Sequence, residues 1–259
     1  MQGGLRINGK QKQSELNLPL VSIITVVLNG ELFIEQTINS VLQQNYSNIE
    51  YIIIDGGSSD NTLNIIKQYE TKIDYWQSAK DNGLYFAMNK GISMAKGNII
   101  GILNADDYYT IDTVKNVVES YIQTSADVFH GDISLISNSN PIRIKPNYDA
   151  MFQQPSIFHP TCFVKKTVYE AIGAFDTNYK ISADYDFLLR CMKNNYTFQY
   201  IPQILCYFRY GGMSASCYSN IEGYKIMKKH QTGYHKQVIW RTVKCYVKTF
   251  VKKIINFGN

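Results

Sequence analysis

Residues 21–62 read VSIITVVLNG ELFIEQTINS VLQQNYSNIE YIIIDGGSSD NT, and this stretch decides the fold. It opens on a β-branched apolar run, Val21 to Leu28, that Asn29-Gly30 ends. A near-continuous apolar run, broken only by Ser22 and Thr25, suits a parallel strand covered on both faces. Leu32, Phe33, Ile34, Ile38, Val41 and Leu42 then recur at helical spacing over residues 31–44. A second strand, Glu50 to Ile54, closes in Asp55-Gly56-Gly57-Ser58, and Ser59 or Asp60 is placed to cap a helix reaching about Tyr69.

Outward from this unit the alternation continues. Ile73–Ser78 reads as a short third strand, and Lys80-Asp81-Asn82-Gly83 leads into a helix over 84–95. Asn98 to Leu103 is a fourth strand, ending in Asn104-Ala105-Asp106-Asp107. Alternating β and α units joined by short connections predict a doubly wound, mostly parallel sheet. The second half is less regular. Helices are expected over 111–123, 165–173 and 184–193, strands over 127–136 and 142–145, and a strand pair over 198–210 interrupted by Pro202. Residues 1–18 are polar and read as an N-terminal arm.

The composition fits a packed protein: 259 residues, 45% hydrophobic, with 20 Tyr and 12 Phe. A net charge of +5 favours no partner class by itself. The five cysteines are scattered without C-x-x-C spacing, which argues against a zinc site or a disulfide framework and suits a reducing compartment. The first residues lack an apolar signal core, and no run approaches the ~18 apolar residues that span a bilayer. A cytoplasmic protein, soluble or peripheral, is the expectation. No G-x-G-x-x-G follows the first strand, and neither a P-loop nor G-x-S-x-G is present. These absences disfavour dehydrogenase, P-loop nucleotidase and α/β-hydrolase chemistry.

In open parallel sheets, ligands bind beyond the carboxyl ends of the strands. Two strands end there in carboxylates, Asp55 and the pair Asp106-Asp107, and Gly56-Gly57 allows close backbone approach. Mg²⁺ and Mn²⁺ are held by one or two carboxylates together with phosphate oxygens and water, which an Asp-Asp strand end can supply. The same pair equally suits the opening of a turn before the helix at 111.

The blocks SIITVVLNGELFIEQTINSVLQQNY (22–46), YIIIDGGSSDNT (51–62), DNGLYFAMNKGI (81–92), GNIIGILNADDYY (97–109) and SADYDFLLR (182–190) together resemble family 2 glycosyltransferases with the GT-A fold. The resemblance spans residues 19–215, in the family's order, and is nearest to bacterial enzymes of capsule and lipopolysaccharide O-chain synthesis. It implies that Asp55, with Gly57, and Asp81 contact the nucleoside. It implies that Asp106 is the metal ligand at the end of the family's Asp-x-Asp motif, here Asn104-Ala105-Asp106, with Asp107 able to share that duty. It implies that Asp184 is the catalytic base. The cofactor implied is Mn²⁺ or Mg²⁺, and the reaction is inverting transfer from a nucleoside diphosphate sugar. The donor expected is a UDP-hexose or UDP-N-acetylhexosamine, and the acceptor a lipid-linked saccharide.

The chain departs from the family pattern at Asn104, at Ala183 where Glu is usual, and at Phe86 where Asp is usual. These departures keep a noncatalytic nucleotide-sugar-binding relative in view. Asp184 also suits a helix N-terminus, a plain role that Asp186 fits better. His159 suits either the pyrophosphate or the core, and Gly211-Gly212-Met213-Ser214 matches a family loop near the active site. Residues 216–259 are expected as a basic, amphipathic helical extension. The last 37 residues lack Asp and Glu, and from Ile239 on apolar residues recur every three or four positions beside Arg241, Lys244, Lys248, Lys252 and Lys253. Such a stripe suits peripheral contact with an anionic membrane as well as packing on protein. No nucleic-acid-reading module is recognisable, so no nucleic-acid partner is expected.

Overall fold

The structure, a computed structural model, describes residues 1–15, 18–136, 141–209, 217–232 and 245. Its strands are β1 (Gln2–Gly3), β2 (Val21–Val27), β3 (Ile49–Asp55), β4 (Tyr75–Ser78), β5 (Ile99–Asn104), β6 (Tyr108–Tyr109), β7 (Val128–Ile136), β8 (Ile142–Ile144), β9 (Phe163–Lys165) and β10 (Phe198–Arg209). Its helices are α1 (Ile34–Leu42), α2 (Thr62–Gln68), α3 (Leu84–Met94), α4 (Thr113–Gln123), α5 (Lys166–Ile172), α6 (Ala183–Lys193) and α7 (Cys217–Lys229). Among the described residues the strands form one sheet in the order β1-β4-β3-β2-β5-β9-β7-β10-β6, with β8 on β7.

The predicted half is parallel, as its apolar runs require: β2 pairs in parallel with β3 and β5, and β3 with β4. β2 is buried along its whole length. Alternation divides its side chains between two apolar layers: Ile24 and Val26 join α3 and α6, while Val21, Ile23 and Val27 join α1 and α4. The short strand β9 was not legible in the sequence. It runs antiparallel between β5 and β7 and is only three residues long.

Two expectations are corrected near Pro202 and at the N-terminus. The expected strand pair is one twelve-residue strand, β10, whose register against β7 shifts between Ile201 and Cys206. Proline has no N–H for a ladder, and the irregularity accommodates it. The segment expected as an arm is folded onto the sheet edge. β1 pairs with β4, Arg6 forms an ion pair with buried Glu50, and Lys12 lies 2.9 Å from Asp74. Cys162, Cys191 and Cys206 are buried thiols, and Cys245 is disulfide-bonded.

α7 lies in the stretch expected as an extension, yet it packs into the domain. Its Ile226 and Met227 are buried in the α6 layer. At its end, Lys229 Nζ and His230 Nε2 each lie 2.9 Å from an oxygen of Asp186, which also accepts from Arg190 Nε at 2.9 Å. Burial pushes the Asp186 pKa up, but hydrogen bonds from His230, Lys229 and Arg190 prevail and hold it well below the ordinary carboxylate range. Asp186 thus keeps the first-turn place on α6 that the sequence suggested and also anchors α7. The basic stripe from Ile239 onward lies outside the described residues, Cys245 apart.

His130, on β7, gives a pH prediction. Burial lowers its pKa from 6.5 to about 4, against a weaker pull upward from Asp132. Between those values the unfolded chain binds a proton that the native state refuses. Stability therefore falls as pH drops from 6.5 toward 4, by up to ~1.4 kcal/mol per pH unit from this group. Denaturant titrations of the wild type and His130→Phe should diverge across this window and run parallel above it. Parallel behaviour throughout would mean that His130 is not held neutral.

Candidate active site

The register sets the site's floor. Asp55 lies opposite Val27 on one side and Ser78 on the other, and Asn104 lies opposite Val26. The ends of β4, β3, β2 and β5 thus form one edge, and the loops leaving them are tied together. Asn29, in the left-handed region at φ 53°, donates its backbone N–H to Ser58 Oγ at 2.7 Å and accepts from the Ser59 N–H at 2.8 Å. Gly30 N donates to Thr62 Oγ1 at 2.8 Å.

Asp55 is 1% exposed. Its oxygens accept from Ser58 Oγ at 2.5 Å and Ser78 Oγ at 2.6 Å. In this structure its carboxylate shapes the loop that follows β3. Gly57 sits at φ +87°, where a side chain would be strained. A Cβ at Gly56 would stand 2.8 Å from Asp81 Oδ2, so glycine lets Asp81 close on this loop. Asp81 Oδ1 accepts from the Gly83 N–H at 2.9 Å, which fixes the entry to α3. Asp55, Gly57 and Asp81, separate in sequence, are thereby neighbours. Phe86, in the first turn of α3, is 41% exposed and belongs to neither apolar layer, so core packing does not account for it.

At the end of β5, Thr37 Oγ1 lies 2.8 Å from the Ala105 carbonyl and 2.7 Å from that of Asp107, pinning the loop to α1. The two adjacent aspartates then separate. Asp107 is fully buried, and its Oδ1 accepts from the Arg209 backbone N–H at 3.1 Å. Burial and the neighbouring Asp106 carboxylate push its pKa well up. Asp106 is half-exposed, and no described residue donates to its carboxylate. The buried Asn104 Oδ1 also lacks a hydrogen-bond partner. Oxygen acceptors left without donors around a half-exposed carboxylate fit a divalent cation of the Mg²⁺ or Mn²⁺ kind, which relies on substrate oxygens and water for its remaining ligands. Among the described residues no group of three or more His, Cys, Asp and Glu side chains offers a cage of protein ligands alone.

Asp184 stands half-exposed in the first turn of α6. Tyr85 Oη, from the first turn of α3, lies 2.9 Å from Asp184 Oδ1 and 2.6 Å from the Ile181 carbonyl. Burial and the Asp184 charge raise the tyrosine's pKa well above 10, so it remains a donor. His159 packs edge-on against Phe175 at 5.6 Å. Burial lowers its pKa, while Asp184 pulls weakly the other way, so this histidine stands within electrostatic reach of the expected base.

Sequence reasoning gave no role to Arg209 or to Tyr85. Arg209 ends β10, donates through Nη1 to the Asp106 carbonyl and through Nη2 to Gln36 Oε1, and lies 4.3 Å from the Phe33 ring centroid. It is a fixed cation beside Asp106. Its signal was a lone arginine between a strand and the glycine pair 211–212, and spacing alone does not separate that from an ordinary surface charge. Tyr85 stood within a quoted block but had no assigned partner.

Acidic loops line the parallel edge, and Tyr85 links Asp184 to the helix that Asp81 leads into, within a mixed α/β fold of the GT-A type. The family model for glycosyl transferase family 2 matches residues 22–179, more than half of the chain. The chain belongs to that family. It is 28% identical over 204 residues to a PGL/p-HBAD biosynthesis glycosyltransferase of Mycobacterium bovis, covering 76% of this chain and 79% of the relative. It is likewise 28% identical over 211 residues to an uncharacterized glycosyltransferase of Haemophilus influenzae, covering 78% and 83%. Among solved structures, residues 1–349 of Staphylococcus aureus TarS in complex with UDP-GlcNAc match with a TM-score of 0.67 at 18% identity, over 82% of this chain and 65% of that one. The mannosyltransferase PcManGT of Pyrobaculum calidifontis, in complex with GDP-Man and Mn²⁺, matches with a TM-score of 0.64 at 18% identity, over 87% and 68%. At this identity the two structures bear on the fold alone.

Proposed function

We propose that this chain transfers a sugar from a nucleoside diphosphate donor to an acceptor hydroxyl with inversion, using Asp184 as general base. The observation that carries the reading is the Tyr85–Asp184 hydrogen bond, which ties the base to the helix whose entry Asp81 fixes. Gly57 and Asp81 meet the nucleoside, and Asp55 acts by holding their loop. Asp106, with Asn104 beside it, holds the cation, and buried Asp107 supports the loop. When bound, a divalent cation supplies charge neutralisation to the departing diphosphate. Arg209 fixes the backbone at Asp106 and adds positive charge there. Asp184 takes the acceptor proton as the hydroxyl attacks the face opposite the diphosphate. The C–O bond to the sugar forms as the bond to the diphosphate breaks, through an oxocarbenium-like state. An α-linked donor thus gives a β-glycoside.

The donor we favour, on the family resemblance, is a UDP-hexose or UDP-N-acetylhexosamine; of the solved structures with this fold, TarS holds UDP-GlcNAc and PcManGT holds GDP-Man. A thermal-shift screen of UDP-, GDP- and TDP-sugars with and without Mn²⁺ tests it, because a ligand raises stability by RT ln(1 + [L]/Kd). A UDP-sugar should give the largest, Mn²⁺-dependent rise. A larger rise with GDP- or TDP-sugars would refute the donor assignment.

We further propose a lipid-linked saccharide acceptor of a surface polysaccharide, reached at the inner face of the cell membrane. No described helix is long and apolar enough to cross a membrane. Support comes from the basic, apolar-striped tail, since each basic residue near an anionic leaflet adds ~1 kcal/mol of attraction. A protein lacking residues 236–259 should still bind donor but no longer sediment with anionic liposomes at low salt. Full-length protein that ignores such liposomes would refute the membrane role.

A further inference from the structure

We infer that Glu222, on α7, is a positioning residue for the base; this rests on the reading of Asp184 as that base. Glu222 is 2% exposed. Its Oε1 accepts from the Lys180 N–H at 2.7 Å, and its Oε2 from the N–H groups of Ile181 at 2.8 Å and Ser182 at 3.0 Å. Three consecutive backbone donors thus converge on one buried carboxylate, immediately before the helix that carries Asp184. The same turn is held from the opposite side, where the Ile181 carbonyl accepts from the Tyr85 hydroxyl that also binds Asp184. Glu222, the turn 180–182, Tyr85 and Asp184 form one connected hydrogen-bonded chain.

No other acidic side chain is within hydrogen-bond distance of these three N–H groups in the described structure. A carboxylate suits the place because it accepts from all three and carries charge that a helix N-terminus favours. A glutamine offers one carbonyl oxygen and turns its NH₂ toward at least one N–H. An alanine leaves all three donors without their acceptor, the Ser182 N–H in a buried place. Either change frees the turn, and with it the first residues of α6. A base displaced by about 1 Å can lose ~10²-fold in rate without any change in what the donor touches.

α7 has a second anchor that separates positioning from plain stability. Lys229 and His230 hold its other end to Asp186, and Lys229 also reaches Asp176 and the Tyr179 ring; neither bonds the turn 180–182. Lys229→Ala therefore loosens α7 while leaving the Glu222 bonds in place.

The test measures kcat per donor-binding site, donor Kd with UDP-sugar and Mn²⁺, and Tm for the wild type, Glu222→Ala, Glu222→Gln, Lys229→Ala and Asp184→Asn. The expected result is a kcat reduced ~10²-fold in Glu222→Ala and by an intermediate factor in Glu222→Gln, with donor Kd unchanged in both. Lys229→Ala should lower Tm and keep its kcat. Counting donor-binding sites keeps the comparison valid if Glu222→Ala folds poorly, and the milder Glu222→Gln supplies the same ordering. Wild-type kcat in the Glu222 variants beside an inactive Asp184→Asn would overturn the positioning role alone. A kcat loss in Lys229→Ala equal to that in Glu222→Ala would reduce Glu222 to a stabilising contact. A fully active Asp184→Asn would overturn the base assignment and, with it, the positioning role.

Discussion

Asp184→Asn should lower kcat for transfer by a factor of ~10² or more while donor affinity stays nearly unchanged. An acceptor hydroxyl has a pKa far above 7, so it attacks efficiently only as its proton leaves. Asparagine keeps the shape of the side chain and its contact with Tyr85, but its amide cannot take that proton. The base acts on the acceptor and not on the diphosphate, which is why the loss belongs in kcat. Tyr85→Phe removes only the hydroxyl that orients Asp184 and should cost less. Initial rates at saturating donor, with donor Kd by calorimetry, check both. An Asp184→Asn enzyme whose main defect is donor binding would move this residue into the donor site.

Asp106→Asn should abolish most turnover in Mg²⁺ or Mn²⁺ with little change in Tm. The residue is half-exposed, and its side chain serves no described hydrogen bond, so the fold does not depend on it. The readout beyond activity is calorimetric: Mn²⁺ titrated into the enzyme with UDP should give heat in the wild type and none in Asp106→Asn. Asp107→Asn should keep Mn²⁺ binding, because its carboxylate faces inward to the backbone of β10. A damaging Asp107→Asn beside a mild Asp106→Asn would shift the ligand by one residue. Full turnover in excess EDTA would remove the metal altogether.

The parallel half of the sheet was legible because β2, β3 and β5 are buried on both faces, and that burial writes itself as mostly apolar, β-branched runs. The second half was less so. β9 is too short for a period, and β10 carries a proline that reads as a break although the strand continues past it. At the site, residue types and order marked Asp55, Asp81, Asp106 and Asp184, but not what each touches. Asp55 spends its oxygens on Ser58 and Ser78, and Asp107 turns one to the Arg209 backbone, distinctions that depend on side-chain direction and leave no trace in composition. Arg209 and Glu222 lie outside the quoted blocks. Glu222 did leave a faint mark as the last acidic residue before a wholly basic tail, yet only the tertiary fold brings it to the turn before α6. The α7 helix was assigned to an extension because its basic residues continue into the tail. Their attachment to Asp186 is a long-range contact that no local pattern encodes.

The most direct test of the account follows the anomeric configuration of the released sugar. With the tightest-binding α-linked nucleotide sugar, Mn²⁺ and no added acceptor, water takes the acceptor's place, and the early product can be read by proton NMR before mutarotation. Inversion assisted by Asp184 predicts that the first sugar formed is the β-anomer and that Asp184→Asn suppresses its release. An α-anomer formed first would contradict the mechanism.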